Sequence, residues 1–174
     1  MKILKSVTNS ITNIIKNIVP NRKRISKPNF SPQVKNVIQN SRAEALRLGV
    51  DYIGTEHLLL GLIKLDEGTA IMILKKLSID IGSLKSVIEE VTEIRESIIL
   101  TRNMPLTKEA EKALKATYWE AKKLENDCVE TEHLLVSILK DKDATASLIL
   151  ARFNVNYETF KATFQKNKSD VSAK

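Results

Sequence analysis

Two copies of one tripeptide carry the side chains best suited to bind a charged ligand. Thr55-Glu56-His57 and Thr131-Glu132-His133 each stand at the start of an apolar run that predicts a helix. The N-terminus of a helix presents free N–H groups to an anion, and an adjacent carboxylate can hold a guanidinium group. Together these groups could bind a phosphorylated arginine. Thr55, Glu56, Thr131 and Glu132 are therefore candidate binding residues.

A structural role also explains the same tripeptides, and it is the simpler interpretation. A threonine caps a helix by accepting a backbone N–H, and a carboxylate in the first turn suits the helix dipole. The histidine would then be a packed or hydrogen-bonded residue. The second copy also differs from the first, because Glu130 stands where the first has Gly54. An additional carboxylate there should repel a phosphate, so the second copy is the weaker candidate.

No other group of side chains predicts chemistry. Two histidines 76 residues apart, without paired cysteines, do not form a metal motif. Cys128 shows no signature of a neighbouring base, so we expect a buried thiol. Tyr118 and Trp119 are expected in the core, and no G-x-x-x-x-G-K-[ST] loop is present to cradle a phosphate. We expect no catalytic residue, no metal, no cofactor and no enzymatic activity.

The elements that must position the tripeptides are helices. Helices are predicted over 31–49, 55–65 and 69–77, and a fourth is expected to start at Asp80 or Ser83. Ser31-Pro32 is a strong start signal, and Gly49 stands where a glycine ends the first helix. Thr55 is expected to cap the second. No useful length of sequence alternates with the period of a strand.

The helical pattern then recurs. A shift of 76 residues places Phe30–Lys85 on Leu106–Lys161 without a gap, with 15 identities in 56 positions. Such a match indicates two tandem four-helix repeats. We expect an all-α domain in which the two repeats pack on each other about a pseudo-twofold axis.

These residues resemble a known family. FSPQVKNVIQNSRAEALRLGVDYIGTEHLLLGLI and its second copy LTKEAEKALKATYWEAKKLENDCVETEHLLVSIL are similar to the N-terminal double-repeat domain of Clp-type AAA+ unfoldases, closest to the ClpC branch. The resemblance covers about residues 30–166. It implies an all-α domain that docks adaptors and protein substrates for an ATPase ring. In that branch the glutamate of each tripeptide takes part in phospho-arginine recognition, which points to Glu56 and Glu132.

The remaining segments depart from the family pattern. We expect a basic arm and linker at 1–29, a domain at 30–166 with repeats at about 30–99 and 106–166, and a disordered tail at 167–174. The chain lacks the nucleotide-binding modules of an intact unfoldase. It therefore resembles a recognition domain that stands alone with an added anchor.

Charge and apolar spacing single out the arm. Residues 1–43 hold nine Lys or Arg and no acid, whereas the rest of the chain has a net charge of −2, so a nucleic-acid partner is not expected. A stripe at helical spacing favours a membrane-surface or helix-pairing helix; it consists of Leu4, Val7, Ile11, Ile14, Ile15 and Ile18. A frayed terminus and an organelle-targeting peptide stay open as alternatives.

The function expected from the sequence is protein binding. The chain would serve a Clp protease or unfoldase system as an accessory or adaptor, with protein substrates, adaptors and the ATPase ring as partners. The alternative is a tether or regulatory scaffold on an anionic membrane surface, unrelated to proteolysis. A single cysteine favours a reducing compartment. We therefore expect the cytoplasm, including its membrane surface, or an organelle stroma or matrix if the arm is a targeting peptide.

Overall fold

The computed structural model describes residues 29–92, 104–124 and 126–172. Residues 1–28 of the arm lie outside these residues, and with them the predicted stripe of Leu4, Val7, Ile11, Ile14, Ile15 and Ile18. Within the described part of the chain, no helix is both long enough and apolar enough to cross a membrane.

Two four-helix repeats make up the described chain, as the sequence predicted. The first contains β1 (Asn29–Phe30), α1 (Pro32–Arg47), α2 (Thr55–Leu65), α3 (Thr69–Lys76) and α4 (Ile81–Val91). The second contains α5 (Lys108–Lys123), β2 (Cys128–Val129), α6 (Thr131–Leu139), α7 (Thr145–Arg152) and α8 (Tyr157–Ser172). The two strands, which the sequence did not predict, are only two residues long, and the all-α class is confirmed.

Local capping explains where several helices begin and end. The Ser31 hydroxyl accepts the Val34 N–H at 3.2 Å ahead of α1, and Thr107 accepts the Ala110 N–H at 3.2 Å ahead of α5. Asp80 caps α4 through the Ser83 N–H at 2.8 Å. Gly49 follows α1 with a φ of 78°, a left-handed conformation in which a glycine carries no Cβ penalty.

The core is centred on α2 and α6. Every residue from Thr55 to Ile63 and from Thr131 to Leu139 is buried, which is typical of a helix enclosed on all sides. In each repeat the long first helix packs along this central helix. The tripeptides therefore begin the two most deeply buried helices of the domain.

Short parallel pairings show how the repeats are related. Phe30 pairs with Val129, and Leu106 pairs with Ile53 in an isolated bridge. The Ser31 N–H donates to the Val129 carbonyl at 3.0 Å, and the Thr107 N–H donates to the Ile53 carbonyl at 3.0 Å. A shift of 76 residues converts each pairing into the other, as a pseudo-twofold axis between the repeats requires.

Two expectations about the periphery were wrong. Residues 167–172 were expected to be disordered, yet α8 continues to Ser172 and Lys76 of α3 donates to the Asn167 side chain. Trp119 was expected in the core, yet it is 59% exposed. Its neighbours Thr117 and Glu120 face inward on α5, so position 119 lies on the outer face.

Candidate functional site

The two threonines cap helices of the opposite repeat. The Thr55 hydroxyl accepts the Ala146 N–H of α7 at 3.2 Å, and the Thr131 hydroxyl accepts the Ala70 N–H of α3 at 3.3 Å. The sequence predicted that Thr55 caps its own helix, and this was wrong because Gly54 and Glu130 occupy the N-cap positions of α2 and α6. The threonines are the first helical residues and point across the interface.

This capping brings helix N-termini together in pairs. The N-termini of α2 and α7 meet at Thr55 and Glu56, which we call the first TEH site. Those of α6 and α3 meet at Thr131 and Glu132, which we call the second TEH site. Each site therefore combines the partial positive charge of two helix ends with the glutamate of its tripeptide.

The histidines satisfy the N-cap backbone of their own helices. The Gly54 N–H donates to Nδ1 of His57 at 3.0 Å, and the Glu130 N–H donates to Nδ1 of His133 at 2.8 Å. Both rings are fully buried. The packed, hydrogen-bonded role expected for them is confirmed. Since Nδ1 accepts in both rings, the neutral ring carries its proton on Nε2.

Burial holds His133 in its neutral form. Removal from water, helped by the charge of Lys168 and opposed by that of Glu120, lowers the pKa of His133 to about 4. Its Nε2 lies 3.2 Å from the Asn126 side-chain amide. The charged imidazolium is thus disfavoured at the second TEH site.

Glu56 folds back over the N-cap at the first TEH site. Its Oε1 lies 3.1 Å from Nδ1 of His57, and its carboxylate occupies the space that a Cβ at position 54 would fill. Only glycine allows this conformation without a clash. Gly54 therefore shapes the first site.

Glu132 has different surroundings at the second TEH site. It is 7% exposed, and within the described chain its Oε2 is buried without a hydrogen-bond partner. Burial raises the pKa of the Glu132 carboxyl, and the nearby Glu130 carboxylate raises it further. A hydrogen bond from Thr69 and the charge of Lys168 act in the opposite direction. The Glu132 carboxylate therefore lies in surroundings that favour its protonated form.

A second pair of buried glutamates was not singled out from the sequence. Glu44 accepts from Lys64 at 2.6 Å and from Arg47 at 2.7 Å, and these cations hold its pKa below the usual range although burial opposes them. Glu120 pairs with Lys140 in the equivalent place. The sequence could have revealed these ion pairs, because residues 44 and 120 are both glutamate and residues 64 and 140 are both lysine. These pairs join the first and second helix of each repeat.

No catalytic arrangement accompanies these sites in the described residues. The Cys128 thiol is half-buried, a little less than expected, and donates to the Asn29 carbonyl at 3.0 Å. Burial and the Glu130 charge raise its pKa, which disfavours the nucleophilic thiolate. Within the same residues, no group of three or more His, Cys, Asp or Glu side chains is placed to hold a metal ion.

Comparison with known proteins decides the family. The sequence pattern of the Clp repeat (R) N-terminal domain matches residues 29–153 and 105–167. The chain belongs to this Clp N-terminal domain family. A probable ATP-dependent Clp protease ATP-binding subunit of Chlamydia pneumoniae is 35% identical over 127 residues, which are 73% of this chain and 15% of that protein. ClpC of Staphylococcus aureus is 33% identical over 138 residues, 79% of this chain and 16% of its own length.

Solved structures agree with the fold. The N-terminal domain of ClpD from Arabidopsis thaliana superposes with a TM-score of 0.65 at 21% identity, covering 85% of this chain and 99% of that one. The N-domain of ClpV from Vibrio cholerae gives 0.68 at 18% identity, with coverage of 87% and 95%. Because the chain spans only about 15% of the curated relatives it matches, the Clp N-domain is the part that they share.

Proposed function

We propose that this Clp N-type domain binds protein substrates or adaptors for a Clp protease or unfoldase ring and recognises phosphorylated arginine at the first TEH site. Its relatives in Chlamydia pneumoniae and Staphylococcus aureus are ATP-binding subunits of Clp proteases. The domain itself would supply recognition, with no chemical step of its own.

The convergence of two helix N-termini on one glutamate carries this proposal. At the first TEH site, the hydrogen bond from Ala146 to Thr55 fixes the start of α7 beside that of α2. The phosphoryl group would lie against these positive helix ends, and the guanidinium would pair with Glu56. Neither half of the ligand would bind as well at an isolated carboxylate or an isolated helix end.

Charge reversal tests the proposal by calorimetry with a peptide that carries one phosphoarginine. Glu56→Lys should weaken binding about tenfold or more, since a charge-assisted pair contributes roughly 1.5–3 kcal/mol. Glu132→Lys should have less effect because Glu130 already places a second carboxylate at that site. Glu109→Lys, at an exposed position of α5, is the control. Equal losses at both sites, or no binding by the unmodified chain, would contradict the proposal.

The basic arm supports a second candidate function, attachment to an anionic membrane surface. Nine cationic side chains and no acid precede residue 44, and seven of the nine lie in the arm. Each cation that reaches anionic lipid contributes on the order of 1 kcal/mol. Vesicle co-sedimentation should weaken with salt and with Ile11→Asp/Ile15→Asp. If the amount of protein that sediments with the vesicles does not change with salt, lipid charge or these substitutions, the arm has no membrane role.

A further inference from the structure

We propose that one side of α5 is a lipid-binding surface, on which Trp119 and the lysines around it contact the anionic membrane surface to which the arm is proposed to attach. This inference rests on that second candidate function. It deepens the function by adding a contact from the folded domain, which would set the orientation of the domain on the membrane.

One side of α5 carries lysines around an exposed tryptophan. With 3.6 residues per turn, positions three, four, seven and eleven residues from Trp119 lie on its side of the helix. Within α5 none of these positions is acidic, and Trp119 itself is 59% exposed. The other residues of this basic face, as we call it, are Lys108, Lys112, Lys115, Ala116, Lys122 and Lys123.

The equivalent side of α1 shows that the fold does not require this composition. The 76-residue shift places Ala43 where α5 has Trp119, and Asn36 where it has Lys112. Both helices pack along the central helix of their own repeat, and Ala43 is exposed as Trp119 is. The large aromatic ring therefore meets no packing need of the repeat, which points to a contact outside the domain.

The surroundings of Trp119 suit the boundary between water and apolar lipid. Its ring lies edge-on to that of Tyr118, with the centroids 5.8 Å apart, and Nζ of Lys122 lies 5.0 Å from the Tyr118 ring centroid. Tryptophan and tyrosine concentrate at the headgroup level of membranes, because each joins an apolar ring to a polar group. Lysine extends an apolar stem beside them and keeps its ammonium among the phosphates.

The carboxylates near the basic face leave its charge available to lipid. Lys112 pairs with Asp141 at 2.8 Å, and Lys115 pairs with Glu111. Both pairs lie at the surface, where an ion pair contributes little, so these lysines can turn toward lipid phosphates at small cost. Glu120 is buried and faces inward.

The arm joins the domain at the end of α5. Asn29 pairs with Cys128, whose thiol donates to the Asn29 carbonyl at 3.0 Å. The Asn126 N–H donates to the Ala121 carbonyl at 2.9 Å, so the segment between α5 and Cys128 stays against the last turns of that helix. The arm, with seven cations, can therefore meet the same surface as the basic face, and two membrane contacts anchor a protein far better than one.

Charge favours anionic lipid over the other occupants of this face that the chain itself offers. The arm contains no acid, so the lysines of α5 would repel it. The same lysines would repel the basic face of a second copy of the chain. A surface of anionic headgroups attracts both the arm and α5, and it accepts the indole ring between them.

Fluorescence of the full chain tests the contact, because Trp119 is its single tryptophan. Vesicles of phosphatidylcholine and phosphatidylserine should move the emission to shorter wavelength, and brominated acyl chains should quench it. Vesicles of phosphatidylcholine alone should change neither. If the chain sediments with the anionic vesicles while its emission is unchanged, the inference is overturned, and an acidic protein becomes the better partner for the basic face.

The two readouts separate this inference from the proposed role of the arm. If the emission shifts although Ile11→Asp/Ile15→Asp does not weaken sedimentation, the role of the arm fails and the contact through α5 stands. If neither sedimentation nor emission responds to anionic vesicles, both proposals are wrong.

A matched pair of double variants tests the lysines. Lys112→Gln/Lys122→Gln should weaken binding to the anionic vesicles about tenfold or more, since each lysine at the surface contributes on the order of 1 kcal/mol. Lys75→Gln/Lys166→Gln, at exposed positions of α3 and α8, removes the same charge and should cost much less. One lysine of each pair bonds an aspartate at 2.8 Å, so the loss of an ion pair is matched. Equal losses would overturn the inference, because total charge alone would then explain binding.

Discussion

At the scale of single residues, one neighbour gives two identical tripeptides different properties. Gly54 leaves room for the Glu56 carboxylate to fold over the N-cap of α2. Glu130 fills the equivalent place with a side chain of its own, and its charge raises the pKa of Glu132. The two sites therefore differ because of the residue that precedes each tripeptide, which is Gly54 in the first copy and Glu130 in the second.

The buried His133 should make folding sensitive to acid. Its pKa is about 4 in the fold and about 6.5 in the unfolded chain. Between these pH values the unfolded state therefore binds more protons than the folded state. The contribution of neutral His133 to the free energy of unfolding is complete above pH 6.5 and is lost as the pH falls toward 4. The free energy of unfolding falls by roughly 3 kcal/mol in total, at about 1.4 kcal/mol for each unit of difference between the two pKa values.

His133→Gln isolates this contribution, because glutamine at the third helical position can still bond the N-cap backbone without titrating. Urea unfolding at pH 7, 5.5 and 4.5 should show a smaller decline for the variant than for the unmodified chain. Parallel declines in the two proteins would mean that His133 does not govern the acid response.

The sequence predicted the four site residues but not the partners of their side chains. Thr55, Glu56, Thr131 and Glu132 could be found because the tripeptides repeat and begin apolar runs. The hydroxyl contacts with Ala146 and Ala70 could not, since they join residues that only the packing of two repeats brings together.

At the scale of elements, the repeats stabilise each other through caps that neither could form alone. The N-cap residues of α3 and α7 are Gly68 and Ala144, which have no side-chain acceptor. Thr131 and Thr55 supply it from the other repeat. In each short helix, a free backbone N–H of the first turn therefore depends on the opposite central helix for its hydrogen-bond acceptor.

Thr55→Val and Thr131→Val remove these acceptors while retaining the shape of the side chain. Each should lower the free energy of unfolding by about 1–2 kcal/mol, because a buried N–H loses its partner. Thr145→Val, at an exposed position of α7, should cost much less. Chemical denaturation measures all three, and equal small losses would show that the caps across the interface contribute little.

Helix ends that are set by local signals were easier to predict than those set by distant contacts. Ser31, Gly49 and Asp80 are local signals that act within a few residues, and the structure uses each of them. The end of α8 depends instead on contacts with α3, so composition alone predicted disorder over residues 167–172. Trp119 was misplaced because its size suggested the core while its position on α5 faces outward.

At the scale of the whole molecule, duplication produces two sites that are related by symmetry but unequal in chemistry. The pairing of Phe30 with Val129 and of Ile53 with Leu106 keeps the two halves in equivalent positions. The substitution at 54/130 then distinguishes the sites. Under the proposed function, this difference leaves the first TEH site as the binding site on a framework that is nearly twofold symmetric.

Titration of the isotopically labelled full chain with phosphoarginine, followed by two-dimensional NMR, tests the central claim most directly. The account predicts saturating shifts of the Gly54, Glu56 and Ala146 amides at the first TEH site. The Glu130, Glu132 and Ala70 amides at the second site should change only at much higher ligand concentration. Unshifted amides at the first site, or saturation of both sites at the same concentration, would contradict it.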